Sequence, residues 1–253
     1  MLEQQIRARS KVKPILLMAH TVLGYPSLNG SREMIETLTE AGADILELQI
    51  PFSDPVADGP VICHANEKAI LRGASVSACL GMVKEAAELF QGPVIVMTYY
   101  NTVYCHGVER FVDTLAQSGV AGVLVPDLPP EEGVHHFEAL RSSGLAPILT
   151  LTPNTPTDRM ARMDTLGGGF LYCVARRGVT GAATRFTPGV SSYLLRCRQA
   201  STLPLAAGFG VSSRNDLAFL EGRVEIAVIG SELIRRMEAG GSGAVGEFLL
   251  SVR

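Results

Sequence analysis

The chain has 253 residues, 47% of them hydrophobic and 19% charged, which is ample for a buried core and unlike a disordered chain. Its 22 basic and 25 acidic residues leave a net charge of −3 without long runs of one sign, arguing against a nucleic acid or a polybasic membrane contact. The length fits two small domains or one large α/β barrel, since barrels run to about 250 residues.

The first fourteen residues, MLEQQIRARSKVKP, carry Glu3 and lack the apolar stretch of a signal peptide, so a cytoplasmic protein is expected. No apolar run approaches the length needed to span a bilayer. The cysteines (Cys63, Cys79, Cys105, Cys173 and Cys197) are odd in number and contain no CxxC pair, which suits reduced thiols. The histidines show no HExxH or paired ligand spacing, and no metal site is expected.

Short apolar runs rich in Ile, Leu and Val recur at 15–19, 45–50, 94–97, 123–125, 148–151, 170–174, 205–207 and 226–229. Each is too short for a helix and reads as a buried strand. Amphipathic stretches fall between them, at about 31–41, 76–90, 108–117, 132–143, 156–165, 189–199, 213–221 and 231–238. In the first of these Met34, Ile35 and Leu38 share one face while Arg32, Glu33 and Glu36 point away. Eight alternations of apolar strand and helix predict an all-parallel sheet covered by helices. An open doubly wound sheet shares that alternation, but it usually carries a glycine-rich turn after its first strand, and HTVLGYPS contains no GxGxxG. The expectation is therefore a single (β/α)8 TIM-barrel domain over residues 1–253. The glycine-rich piece at 239–246 reads as a connection between two helical segments.

A barrel carries its chemistry at the C-terminal ends of its strands. In ILELQIPFSDPVADGP, strand alternation sets Leu46, Leu48 and Ile50 on one face, which must pack on helices. Glu47 and Gln49 then point into the lumen, where loss of hydration raises a carboxyl pKa toward the range useful for acid–base work. A buried glutamate tied up in structural hydrogen bonds is the plainer reading, yet charged residues are rarely buried without a partner or a role. The proline-braced loop that follows offers Asp54 and Asp58 as a second carboxylate. Toward the C-terminus, RRGVTG (176–181), GFG (208–210) and Gly230-Ser231 follow the last three strands. Barrels bind phosphate with such loops and a helix N-terminus, and part of the surplus among the 26 glycines falls there.

These residues together resemble the tryptophan synthase alpha family over nearly the whole length. The matching pieces, in order, are LGYP (23–26), LELQIPFSDPVADGP (46–60), MTYYN (97–101), VLVPDLPPEE (123–132), GVTG (178–181), GFGVSS (208–213) and GS (230–231). The resemblance implies a (β/α)8 lyase that splits indole-3-glycerol phosphate into indole and glyceraldehyde 3-phosphate. It implies no cofactor in this chain; the partner is a pyridoxal-phosphate-dependent beta subunit, in an alpha2-beta2 heterotetramer. Carried over by position, it makes Glu47 the acid/base and Asp58 the carboxylate for the indole N–H. Tyr99, Tyr172 and Phe209 would line the pocket, Thr180 would be the lid threonine, and Gly181, Gly210, Gly230 and Ser231 would hold phosphate. Partner docking is expected on the strand-end loops, including Asp54 and 101–107.

The chain departs from the family pattern at points that border the substrate. Gln49 stands where glycine is usual, His20 where an apolar aromatic is usual, Val22 where threonine is common and Thr150 where an aliphatic is expected. Gln49 shares a lumen with Glu47 and has three outcomes open to it: bonding that carboxylate, crowding the pocket or altering its pKa. Beside the synthase subunit, the departures leave open a stand-alone lyase, a barrel with another phosphorylated substrate, or a weakly catalytic activator of a beta subunit.

Overall fold

The computed structural model describes residues 1–174 and 188–253. Its elements run α1 (Leu2–Arg9), β1 (Leu16–Val22), α2 (Leu28–Glu40), β2 (Ile45–Gln49), α3 (Pro60–Leu71), α4 (Val76–Leu89), β3 (Val94–Met97), α5 (Tyr100–His106) and α6 (Val108–Gln117). They continue through β4 (Gly122–Leu124), α7 (Val134–Ser142), β5 (Ala146–Leu151), α8 (Thr157–Leu166), β6 (Leu171–Val174), α9 (Pro188–Ala200), β7 (Leu205–Gly208), α10 (Arg214–Leu220), β8 (Ile226–Ile229) and α11 (Ser231–Val252). Each strand pairs in parallel with the next and β8 returns to β1, so the sheet closes as a (β/α)8 barrel.

The two-residue period of the strands separates the core into two layers. Leu17, Ala19, Leu46, Leu48, Val94 and Val96 face outward and pack against the helices. Leu16, Met18, Ile45, Ile95, Leu124, Ile148, Phe170, Ala206, Ile226 and Val228 fill the lumen. Leu2 and Ile6 of α1 join that inner layer, so the first helix closes the N-terminal end of the barrel. Gly169, at φ +72°, gives α1 its seat: a Cβ there would stand 2.5 Å from Leu2 Cδ2.

The strand and helix positions follow the alternation read from the sequence, with ends that differ by at most three residues except in α11, which continues past 238 to Val252. Helices α1, α3 and α5 lie outside the amphipathic segments picked from the periodicity. Their apolar residues are few or close-set, and neighbouring elements stabilise them more than their own pattern does. Residues 239–246 belong to α11, broken at Gly240 and Gly241, where the backbone leaves helical geometry and Gly241 takes φ +67°.

One buried imidazole ties stability to pH. His136 of α7 lies against the rings of Tyr100 and Phe137, with centroids at 6.2 and 5.5 Å, and neither ring nitrogen has a hydrogen-bond partner among the described residues. Burial, helped by nearby His135, pulls its pKa from 6.5 down to about 4. Above pH 6.5 the ring is neutral in both folded and unfolded chains. Below that, the unfolded chain takes up a proton that the folded one refuses, and stability falls until about pH 4. The full cost is about 3 kcal/mol at 1.36 kcal/mol per pKa unit. His136→Phe is expected to reduce the loss of urea-unfolding free energy between pH 7 and pH 4.5 by roughly 2 kcal/mol; equal losses in the two proteins would refute the account.

Candidate active site

The lumen turns polar toward the C-terminal ends of the strands. Register sets His20 of β1 opposite Glu47 of β2, and Val22 opposite Gln49, so these side chains share the inner face. Glu47 and Gln49 are fully buried and His20 is 4% exposed. His20 Nδ1 lies 2.9 Å from Glu47 Oε2. Burial alone would lower the imidazole pKa, but the hydrogen bond and charge of Glu47, with the charge of Asp58 behind it, raise it above the usual value. Oε1 of Glu47 and Nε2 of His20 are buried without a protein partner among the described residues.

Asp58 reaches the same space from the loop between β2 and α3. That loop is braced by Pro51, Pro55 and Pro60, the last opening α3, and Asp58 N donates to Pro55 O at 2.9 Å. The Asp58 carboxylate is buried, and its Oδ2 accepts from Gln49 Nε2 at 2.7 Å and Tyr99 OH at 2.9 Å. Burial raises its pKa; the two hydrogen bonds and the charge of His20 oppose that rise, while the charge of Glu47 adds to it. Asp54, the other acid of the loop, is exposed and accepts from Ser53 Oγ. The loop thus delivers one of its two acids to the lumen.

Gln49 goes to a partner other than the one considered from sequence. Its amide donates to Asp58 and, at 3.4 Å, to Asn66 Oδ1. The nitrogen of Gln49 reaches the loop carboxylate, while Glu47 is held from the opposite side by β1. Asn66 escaped the sequence reading. It sits on α3, accepts from Phe52 N at 2.9 Å and donates to Ile62 O at 2.8 Å, pinning the loop to the helix. Its sequence signal was a polar residue on the buried side of an otherwise short helix. Thr98, fully buried at the end of β3 with Oγ1 unpartnered among the described residues, was missed as well.

Tyr99 donates to Asp58 and accepts from Ala57 N at 3.1 Å, and its ring stacks on Phe52 at a centroid distance of 5.2 Å. Burial and the charge of Asp58 push its pKa far up, so it remains a hydroxyl. Tyr172 of β6 faces the lumen within reach of Glu47; burial first, then the charges of Glu47 and Asp58, keep it protonated too. Thr150 pairs in register with Tyr172. Phe209, just past β7, is 1% exposed and packs near Tyr193 of α9 at 6.4 Å in the outer layer.

Gly210, at φ +71°, follows the adjacent strand β7, while Gly230 caps α11 and Ser231 is that helix's first residue. Adjacent strand ends thus offer a glycine turn and a helix N-terminus, the usual furniture of an anion site in this fold. Thr180 and Gly181 lie outside the described residues.

Gly208 is required by the ring beside it. A Cβ at this position would stand 2.7 Å from Tyr172 Cε1 and 3.0 Å from its hydroxyl. Gly208→Ala is expected to cost about 1–3 kcal/mol of stability, read by urea unfolding, as overpacking does elsewhere. In a Tyr172→Ala background the same substitution should cost far less. An equal cost in both backgrounds would refute the steric account.

The tryptophan synthase alpha chain family model matches residues 6–246. The alpha chain of Desulforapulum autotrophicum is 50% identical over all of both chains, and that of Syntrophotalea carbinolica is 47% identical over the same full extent. Among solved structures, a tryptophan synthase from Mycobacterium tuberculosis superposes with a TM-score of 0.93 at 30% identity, covering 99% of this chain and 96% of that one. An alpha subunit from Pyrococcus furiosus superposes with a TM-score of 0.86 at 30% identity, covering 94% and 97%. On these grounds the chain belongs to the tryptophan synthase alpha chain family.

Proposed function

We propose that Glu47 and Asp58 carry the alpha reaction of this family, the cleavage of indole-3-glycerol phosphate to indole and glyceraldehyde 3-phosphate. The observation that carries the assignment is one lumen with two buried carboxylates whose partners differ. Glu47 has a histidine on one oxygen and a second oxygen without a protein partner among the described residues. Asp58 is fixed by an amide and a phenol, both on Oδ2.

Retro-aldol cleavage needs a proton placed on indole C3 and a proton taken from the glycerol hydroxyl next to the breaking bond. Glu47 performs both: its carboxylate takes the hydroxyl proton and delivers it to C3 as the C–C bond breaks, ending the step ionised as it began. Protonation at C3 makes the ring nitrogen cationic, and Asp58 accepts its N–H and stabilises that charge. Two carboxylates in different surroundings divide the work. Tyr99 and Tyr172 remain neutral and shape the pocket with His20 and Gln49, while Phe209 packs behind the end of β7. Backbone amides at Gly210, Gly230 and Ser231, with Gly181, hold the phosphate with the help of the α11 dipole. By family resemblance, Thr180 is assigned as the lid threonine that acts on the catalytic carboxylates.

Family members work with a beta subunit, and we assign the docking face to the barrel mouth, where indole leaves. Asp54 is exposed there, and Val56 of the same loop and Tyr104 of α5 are each 69% exposed. An alpha2-beta2 assembly, pyridoxal phosphate on the beta subunit, no cofactor in this chain, a cytoplasmic setting and a single domain complete the proposal. No helix among the described residues is long and apolar enough to cross a membrane.

Purified protein given indole-3-glycerol phosphate is expected to release indole slowly alone and faster with a beta subunit. Glu47→Gln should reduce turnover by at least about 10²-fold with an unchanged circular dichroism spectrum. Asp58→Asn should reduce it less. Near-normal turnover in Glu47→Gln would overturn the acid/base assignment. Rapid release that a beta subunit leaves unchanged would favour a stand-alone lyase.

A further inference from the structure

The polar departures at His20 and Gln49 are not independent decorations of the pocket: each takes one of the two carboxylates. Gln49 joins a network around Asp58 that already includes Tyr99. His20 Nδ1 lies 2.9 Å from Glu47 Oε2, and the Tyr172 hydroxyl stands close to the same carboxylate. We propose that His20 is a positioning residue for the lyase reaction, fixing Glu47 through Oε2 so that Oε1 is presented to substrate and the carboxylate is held ready as a base. This rests on the assignment of Glu47 as the acid/base.

The geometry supports the role from three sides. Register places the two residues directly opposite on neighbouring parallel strands, so the contact follows from the backbone and needs no unusual reach. The 2.9 Å separation lies within ordinary hydrogen-bond range, with both side chains buried. From β8, Gly230 closes on the other edge of the ring; a Cβ there would stand 3.2 Å from His20 Cδ2, so the imidazole is held between the strand carrying the acid and the glycine that opens α11. A carboxylate so deep in a barrel is penalised unless a counter-charge or donors offset the lost hydration. The titratable groups facing His20 are Glu47 from β2 and Asp58 from the following loop, both acidic, with Tyr172 of β6 beside Glu47. Together they favour a cationic ring beside Glu47.

An apolar ring at position 20 would fill the same space and withdraw both the hydrogen bond and the charge. A buried carboxylate left alone keeps its proton to higher pH and samples more rotamers. His20→Asn is the informative companion, because the amide of asparagine can place an N–H near the Nδ1 position without restoring the charge.

The test measures kcat, KM and their pH dependence for indole release by the wild type, His20→Phe, His20→Asn and Glu47→Gln, each with a beta subunit. For His20→Phe, kcat is expected to fall about 10- to 100-fold, as losses of orienting partners do elsewhere. KM should change far less, and the acidic limb of the kcat profile should move up by about one pH unit, the displacement expected on losing an opposite charge in contact. His20→Asn should recover most of kcat on the alkaline plateau while keeping part of the shift. Wild-type kcat with an unmoved limb in His20→Phe would overturn the proposal, as would a loss confined to KM, or His20→Asn as impaired as His20→Phe. If His20→Phe does not fold, His20→Asn alone decides: an unmoved limb overturns the proposal. Glu47→Gln separates the two levels. Retained turnover there defeats the acid/base assignment itself; abolished turnover beside an unaffected His20→Phe defeats only the role of His20.

Discussion

A closed ring of parallel strands leaves every second residue facing an interior with little water, and every polar group placed there must find its partner within reach. This constraint organises the molecule. Over the lower half of the lumen it is met by exclusion: Leu16, Met18, Ile45, Ile95, Ile148, Phe170 and Ile226 are apolar, and α1 closes the end. Over the upper half it is met by pairing, through His20 with Glu47 and Gln49 with Asp58. The boundary between the two regimes falls within single strands. Ile45 and Glu47 are two positions apart on β2, yet one belongs to a hydrocarbon plug and the other to a charge pair.

Two acids in one cavity would repel each other, and the chain separates their effects through different partners. Glu47 faces a ring that can carry a positive charge. Asp58 faces neutral donors that stay neutral, because the Tyr99 hydroxyl is driven away from ionising by the very carboxylate it serves. The first environment couples Glu47 to a titrating neighbour, while the second fixes the geometry of Asp58 without adding charge. The loop bearing Asp58 can hold its place because Asn66 spends its side chain on Phe52, Gln49 and Ile62 at once.

Strand periodicity was legible in the sequence because hydrophobic exclusion acts residue by residue, and it was sufficient to turn Glu47 and Gln49 inward. The acidic loop was legible as a proline-rich run with two aspartates, but the choice between Asp54 and Asp58 depends on where Pro60 starts α3. Partners were illegible for a different reason. That His20 meets Glu47 depends on the relative slide of β1 and β2, separated by a helix and two turns, and no local pattern records it. Asn66 and α3 escaped because the apolar residues of α3 stand in close-set groups rather than on one helical face, so the helix is recognised through its neighbours more than through its own periodicity. The same holds for α1, whose Leu2 and Ile6 give a weak periodic signal while filling the floor of the barrel.

That floor has a consequence for traffic. Among the described residues, a tube sealed at its base by Leu2, Ile6 and Phe170 opens at its C-terminal mouth. Substrate, the apolar fragment and the phosphorylated fragment must all use it, so order of departure becomes part of the reaction. On the proposed assignment, the charged fragment is held at the rim by the ends of β7 and β8, while the apolar one is held by a single hydrogen bond to Asp58. Whatever sits across that doorway therefore decides which fragment escapes to water and which is handed on.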